Sequence, residues 1–112
     1  MNVIIGFSDD AKAIYDYVSK RSLSCKAEKI MYSAILRNIA LIKQNPMYGA
    51  PVPKRLIPKE YLSKYHVQNL YRVELPFFWR MLYTLRDNKV EVIAFVLDIV
   101  DHKDYNKKFR YK

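Results

Sequence analysis

The chain is poor in glycine and cysteine: its 112 residues include two glycines, Gly6 and Gly49, and one cysteine, Cys25. A glycine-rich phosphate loop and an internal disulfide are therefore excluded. Two histidines, His66 and His102, with that lone cysteine give no zinc-ligand spacing, and no cofactor is implied. Long hydrophobic runs are missing too. The longest, Val92 to Leu97, is far too short to cross a bilayer. Met1 to Ile5 lacks the basic start and small-residue cleavage site of a signal peptide. The expectation is one cytoplasmic domain over residues 1–112 with no membrane contact.

What the chain does have is positive charge. Twenty Lys and Arg stand against eleven Asp and Glu, a net charge of +9. The tail from Lys103 holds five basic residues and one acidic. Such an excess attracts polyanions through counterion release, or it is matched by an acidic protein partner.

The apolar pattern divides the chain into helices and then strands. Asn2–Phe7 reads as a strand, and Ser8 before Asp9 and Asp10 is an N-cap with acidic residues in the first turn. Helical spacing predicts a first helix over Asp9–Lys20, with Ser22 or Ser24 capping a second over Ala27–Gln44. Asn45-Pro46 stops the second helix. Pro46, Pro51, Pro53 and Pro58 mark an ordered loop carrying Lys54 and Arg55, and Pro58 is placed to open a short helical turn reaching Tyr65. Three strand-like runs follow, Leu70–Leu75, Trp79–Leu85 and Val90–Leu97, interrupted by Pro76-Phe77-Phe78 and turning at Asp87-Asn88. Beyond them lies a polar tail. The expected architecture is α+β, two layers, in the order β-α-α-β-β-β, with an antiparallel sheet and the helical hairpin on one face. On the middle strand Trp79, Met81, Tyr83 and Leu85 would meet the helices, leaving Arg80 on an open face.

With Leu70-Tyr71-Arg72-Val73, Trp79-Arg80-Met81-Leu82-Tyr83 and Asp101-His102-Lys103-Asp104-Tyr105-Asn106 in these places, the chain resembles the RelE/ParE toxin superfamily. That resemblance implies a small basic RNase that cuts mRNA, typically in the ribosomal A site, and that an acidic antitoxin neutralises. It also implies that Arg80 grips phosphate, that Arg72 stands where some members have a basic residue on the first of these strands, and that His102, Lys103 and Tyr105 form the terminal cluster. Glu74 departs from the pattern, since a second basic residue is implied there. Tyr105, three residues after His102, departs in spacing. The gyrase-directed branch shares the fold without cutting RNA, so a non-catalytic binding module stays open beside the RNase.

Metal-free RNA cleavage needs a base for the 2′-hydroxyl proton, an acid for the leaving oxygen, and positive charge on the phosphorane. Arg72 and Arg80 suit the last role, and an imidazole, His102, suits proton transfer near neutral pH. Tyr105 would stack on a base or hold the attacking group. Lys54, Arg55, Lys103, Lys107, Lys108 and Arg110 are the candidate RNA contacts. Structural roles compete with each assignment. Arg72 could pair with Glu74, Arg80 with Glu91, and His102 with Asp98 or Asp101.

Overall fold

A computed structural model of the chain describes residues 2–87 and 91–110, the side chain of Glu91 excepted. β1 (Asn2–Phe7) leads through Ser8 into α1 (Asp9–Arg21), and α2 (Lys26–Gln44) folds back on it. Ser8 fixes that first junction. Its hydroxyl accepts from the Ala11 N–H at 3.0 Å and donates to the buried Leu97 carbonyl at 2.6 Å. One side chain thus caps α1 and pins it to the sheet. The cap expected of Ser22 or Ser24 is not used, because α2 starts after Cys25 with no side-chain cap bond. Ser22 closes α1 instead, donating to the Ser19 carbonyl at 2.6 Å. Asn45 ends α2, as the following proline requires.

β2 (Ala50–Pro51), a 3-10 turn at Lys54–Leu56 and α3 (Lys59–Tyr65) occupy the proline-rich loop. The loop is held from below by Tyr83. Its hydroxyl donates to the Pro46 carbonyl at 2.7 Å and accepts from the Gly49 N–H at 2.9 Å. A Cβ at Gly49 would come within 3.0 Å of that ring and 3.1 Å of the Arg72 carbonyl, so this close approach admits only glycine without a shift.

β3 (Tyr71–Glu74), β4 (Arg80–Asp87), β5 (Glu91–Val100) and α4 (His102–Phe109) complete the chain. The turn expected at Asp87-Asn88 runs into residues 88–90, outside the described part. The sheet order is β1-β5-β4-β3-β2. The α+β order and the hairpin packed on one face are as expected. Within the sheet the β1–β5 pair alone is parallel among the described strands: the α1–α2 hairpin carries the chain from β1 to β2 at the far edge, and the antiparallel succession β3-β4-β5 brings it back beside β1.

Two cores flank this sheet. On one face Ala11, Val18, Met31, Ala34, Ile35 and Ile42 pack on Val73, Met81, Tyr83, Ala94, Val96 and Ile99. The opposite face, expected to be open, is covered by a second cluster in which Tyr61 from α3 and Tyr105 and Phe109 from α4 meet Leu70, Leu82, Leu97 and Val100. The polar tail is in fact a helix. Asp101 caps it, accepting from the Asp104 N–H at 2.9 Å, and Tyr105 and Phe109, four residues apart, form its one apolar stripe.

A bulge completes this second core. Leu82 pairs with Asp98 and Tyr83 with Val96, so Leu97 is the extra residue on β5. Asp98 thereby joins the second cluster, accepting from the Tyr61 hydroxyl at 2.7 Å with the Lys108 ammonium 3.5 Å away. Burial raises the Asp98 pKa against both partners. Burial and the Asp98 charge push the Tyr61 phenol well above its ordinary 10.0. Lys108 rises above 10.5 because Glu60 and Asp98 outweigh the cost of its burial. Tyr61 and Lys108 both keep their protons longer in the folded chain. Their stabilisation is full below the ordinary values and is lost as pH climbs through the folded ones, so thermal stability should drop above about pH 10. Tyr61→Phe leaves Asp98 without its closest donor and should cost about 1–3 kcal/mol in denaturant unfolding at pH 7. An unchanged midpoint would remove Asp98 from the stabilising contacts.

Candidate active site

Strand pairing creates the site. Glu74 on β3 lies opposite Arg80 on β4, and Arg72, two residues before Glu74, shares their face. The Glu74 carboxylate reaches Arg72 Nε at 3.2 Å and Arg80 Nε at 3.4 Å. It is largely exposed, whereas the Arg80 side chain is only 20 % exposed. Two guanidinium groups are thus gathered about one carboxylate.

α4 lands beside this pair and supplies Tyr105, which is 2 % exposed. Arg72 Nη1 donates to its hydroxyl at 3.0 Å, and the Arg80 guanidinium lies 4.9 Å from its ring centre. Phe109 stacks on the same ring at 4.3 Å. Tyr105 therefore orients the arginines. The base-stacking role open to it in the sequence is not available, because its ring is buried among these neighbours.

His102 is the first residue of α4, one turn before Tyr105, and is exposed. Its ring meets Phe78 edge-on, with centroids 6.0 Å apart. Phe77 and Phe78 both adopt left-handed backbone angles, φ 62° and 63°. For bulky L-residues this conformation costs about 1–3 kcal/mol each and persists only where neighbours enforce it. Here backbone bonds close the turn, from the Leu75 N–H to the Trp79 carbonyl at 2.9 Å and from the Trp79 N–H to the Pro76 carbonyl at 3.3 Å, and Arg80 Nη1 adds a bond to the Phe78 carbonyl at 2.7 Å. Arg80 therefore touches Glu74, Tyr105 and Phe78 at once, and Phe78 brings His102 into the group.

The remaining predicted residues form a second zone. Lys54 and Arg55 sit exposed on the 3-10 turn, and Lys103, Lys107 and Arg110 sit exposed on and just after α4. Arg55, Lys107 and Arg110, joined by Lys59, line a groove of about 580 Å³ between the start of α3 and the end of α4. Lys108 lines it too, but its ammonium is ion-paired with Glu60 and Asp98, so its charge is already matched within the fold. A smaller cleft of about 160 Å³ opens between Arg72, Tyr105 and the β2 loop. Two features escaped the sequence reading. One is Phe78, which appeared only as a strand interruption. The other is the Tyr61–Asp98–Lys108 cluster, which depends on the bulge.

Sequence comparison gives no match: no family model fits this chain, and no curated protein aligns with it. Structural comparison does. The YoeB/ParE toxin from Agrobacterium tumefaciens superposes with a TM-score of 0.62, covering 88 % of this chain and 98 % of that one, at 12 % identity. The chain has the RelE/ParE toxin fold. At that identity the likeness is one of backbone, and the RelE/ParE fold hosts more than one activity. What the fold contributes here is placement: α4 brings Tyr105 onto Arg72 and Arg80, which neighbouring strands β3 and β4 carry, and His102 onto Phe78. Among the described residues no helix is long and apolar enough to cross a membrane, and no group of three or more His, Cys, Asp or Glu is placed to hold a metal ion.

Proposed function

We propose that the chain is a toxin of the RelE type that cleaves RNA, with ribosome-bound mRNA as its target and an acidic antitoxin as its inhibitor. The observation that carries this reading is the Arg72–Arg80 pair, pre-oriented by Glu74 and Tyr105 beside an exposed histidine. In the proposed reaction a base removes the 2′-hydroxyl proton and the 2′-oxygen attacks phosphorus. The bond to the 5′-oxygen breaks, and an acid returns a proton to that oxygen. His102 is the group free to move a proton, and the two guanidiniums neutralise the phosphorane. Lys54, Arg55, Lys103, Lys107 and Arg110 hold the strand on either side through its phosphates. The net charge of +9 makes an acidic antitoxin the complementary inhibitor.

The test is induction of the chain in a bacterium, followed by growth and mRNA integrity, with cleavage assayed in vitro with and without ribosomes. Growth arrest with cut mRNA is expected. RNA affinity should also fall steeply as salt rises, because phosphate contacts release counterions. A flat response between low and physiological salt would point to a protein target.

A second reading, a non-catalytic binding module on the same fold, draws on one observation: Glu74 already occupies both arginines. Absence of cleavage by the wild type, with or without ribosomes, would favour the binding module, whereas Glu74→Gln shows what the carboxylate does. If the carboxylate merely competes with phosphate, the variant should bind RNA several-fold more tightly, steepen the salt slope by about one, and cleave at least as well. Collapse of cleavage with binding retained would make Glu74 the base.

A further inference from the structure

We infer that Phe78 is the platform on which a nucleotide base stacks when RNA lies across Arg72 and Arg80. The inference rests on the RNA-directed reading above and assigns a residue to it. Phe78 is 73 % exposed, an unusual place for a phenyl ring in a chain with two well-filled cores. Its exposure is imposed by the backbone: the left-handed pair at Phe77 and Phe78 sends successive rings apart. Phe77 lines an apolar pocket with Tyr17, Met31 and Trp79 against the helical hairpin. Phe78 instead meets His102 at the candidate active site. The hydrogen bond from Arg80 Nη1 to the Phe78 carbonyl ties the backbone that carries the ring to the Arg80 guanidinium.

A ring held at a set offset from a cation is what a nucleotide requires, since its phosphate and its base lie at a set offset too. Every base offers a π-face, so stacking adds affinity without demanding sequence. Tyr105, the other aromatic of the site, is buried and cannot serve. Phe78 is a binding residue here, with no part in proton transfer.

The experiment compares wild type, Phe78→Gly and Phe78→Trp for binding to a short single-stranded RNA and to an abasic ribose-phosphate oligomer of equal length. Glycine removes the ring without backbone strain, and circular dichroism checks that the fold is kept. Phe78→Gly should lose about 5- to 100-fold in RNA affinity and almost nothing for the abasic oligomer. Phe78→Trp should bind RNA at least as well as wild type, with added indole fluorescence that RNA quenches. Equal losses for both ligands would mean that the ring acts only by positioning Arg80, and would overturn the stacking role. Unchanged RNA affinity in Phe78→Gly would overturn it as well, assigning the exposed ring to a protein contact. Wild type failing to bind RNA at all would remove the RNA reading and this proposal together, whereas binding by wild type with no discrimination against the abasic oligomer would remove only the proposal.

Discussion

His102→Ala should slow RNA cleavage by about two to four orders of magnitude while leaving RNA affinity nearly unchanged. The asymmetry follows from where the residue stands. His102 opens α4 on the exposed side, beside Phe78, and bonds neither to the arginine pair nor into either core. Removing its ring takes away a proton carrier and one edge contact with Phe78 but no phosphate ligand and no core packing, so binding and thermal stability should hold. The capping contact of α4 belongs to Asp101, which the substitution spares. A single-turnover assay at saturating protein isolates the chemical step. Full cleavage by the variant would sink the assignment and move the proton transfer to Glu74, the exposed carboxylate of the site.

Much of this architecture was legible in the sequence, because it repeats. The stripe through Met31, Ala34, Ile35 and Ile42 recurs at helical spacing over about three turns, and Met81 and Tyr83 alternate with Leu82 and Thr84 as a strand must. Local signals such as the Ser8 cap and Asn45-Pro46 set the boundaries to within a residue or so. α4 was hidden for the opposite reason. It has eight residues and two apolar anchors, Tyr105 and Phe109, too few for a period to emerge from so charged a segment. That one element changes the site, because it closes the face on which Arg80 was expected to stand open and buries Tyr105 beneath the guanidiniums. The bulge at Leu97 and the left-handed pair at Phe77-Phe78 leave no mark in composition. They arise when strand pairing and side-chain hydrogen bonds outweigh local preference. The arginines themselves were visible, but their mutual carboxylate was visible only as a departure from pattern.

Arg80→Ala should lower cleavage by about 10²- to 10³-fold and, unlike His102→Ala, weaken RNA binding as well. A phosphate clamp acts on the bound substrate and, more strongly, on the phosphorane, so both quantities fall and the rate falls further. Arg80 also does what Arg72 does not: it fastens the Phe78 carbonyl. Losing it should loosen the strained Phe77-Phe78 pair and with it the ring's place beside His102. Arg72→Ala, which leaves that bond intact, should therefore bind RNA better than Arg80→Ala does. Arg80→Lys distinguishes charge from shape. An ammonium restores one positive charge but lacks the planar fork that serves Glu74 and the Phe78 carbonyl together. The lysine variant should recover part of the salt-dependent affinity while its cleavage rate stays close to that of the alanine variant. If lysine restores cleavage fully, the fork has no role beyond its charge, and the coupling of Arg80 to Phe78 is incidental to catalysis.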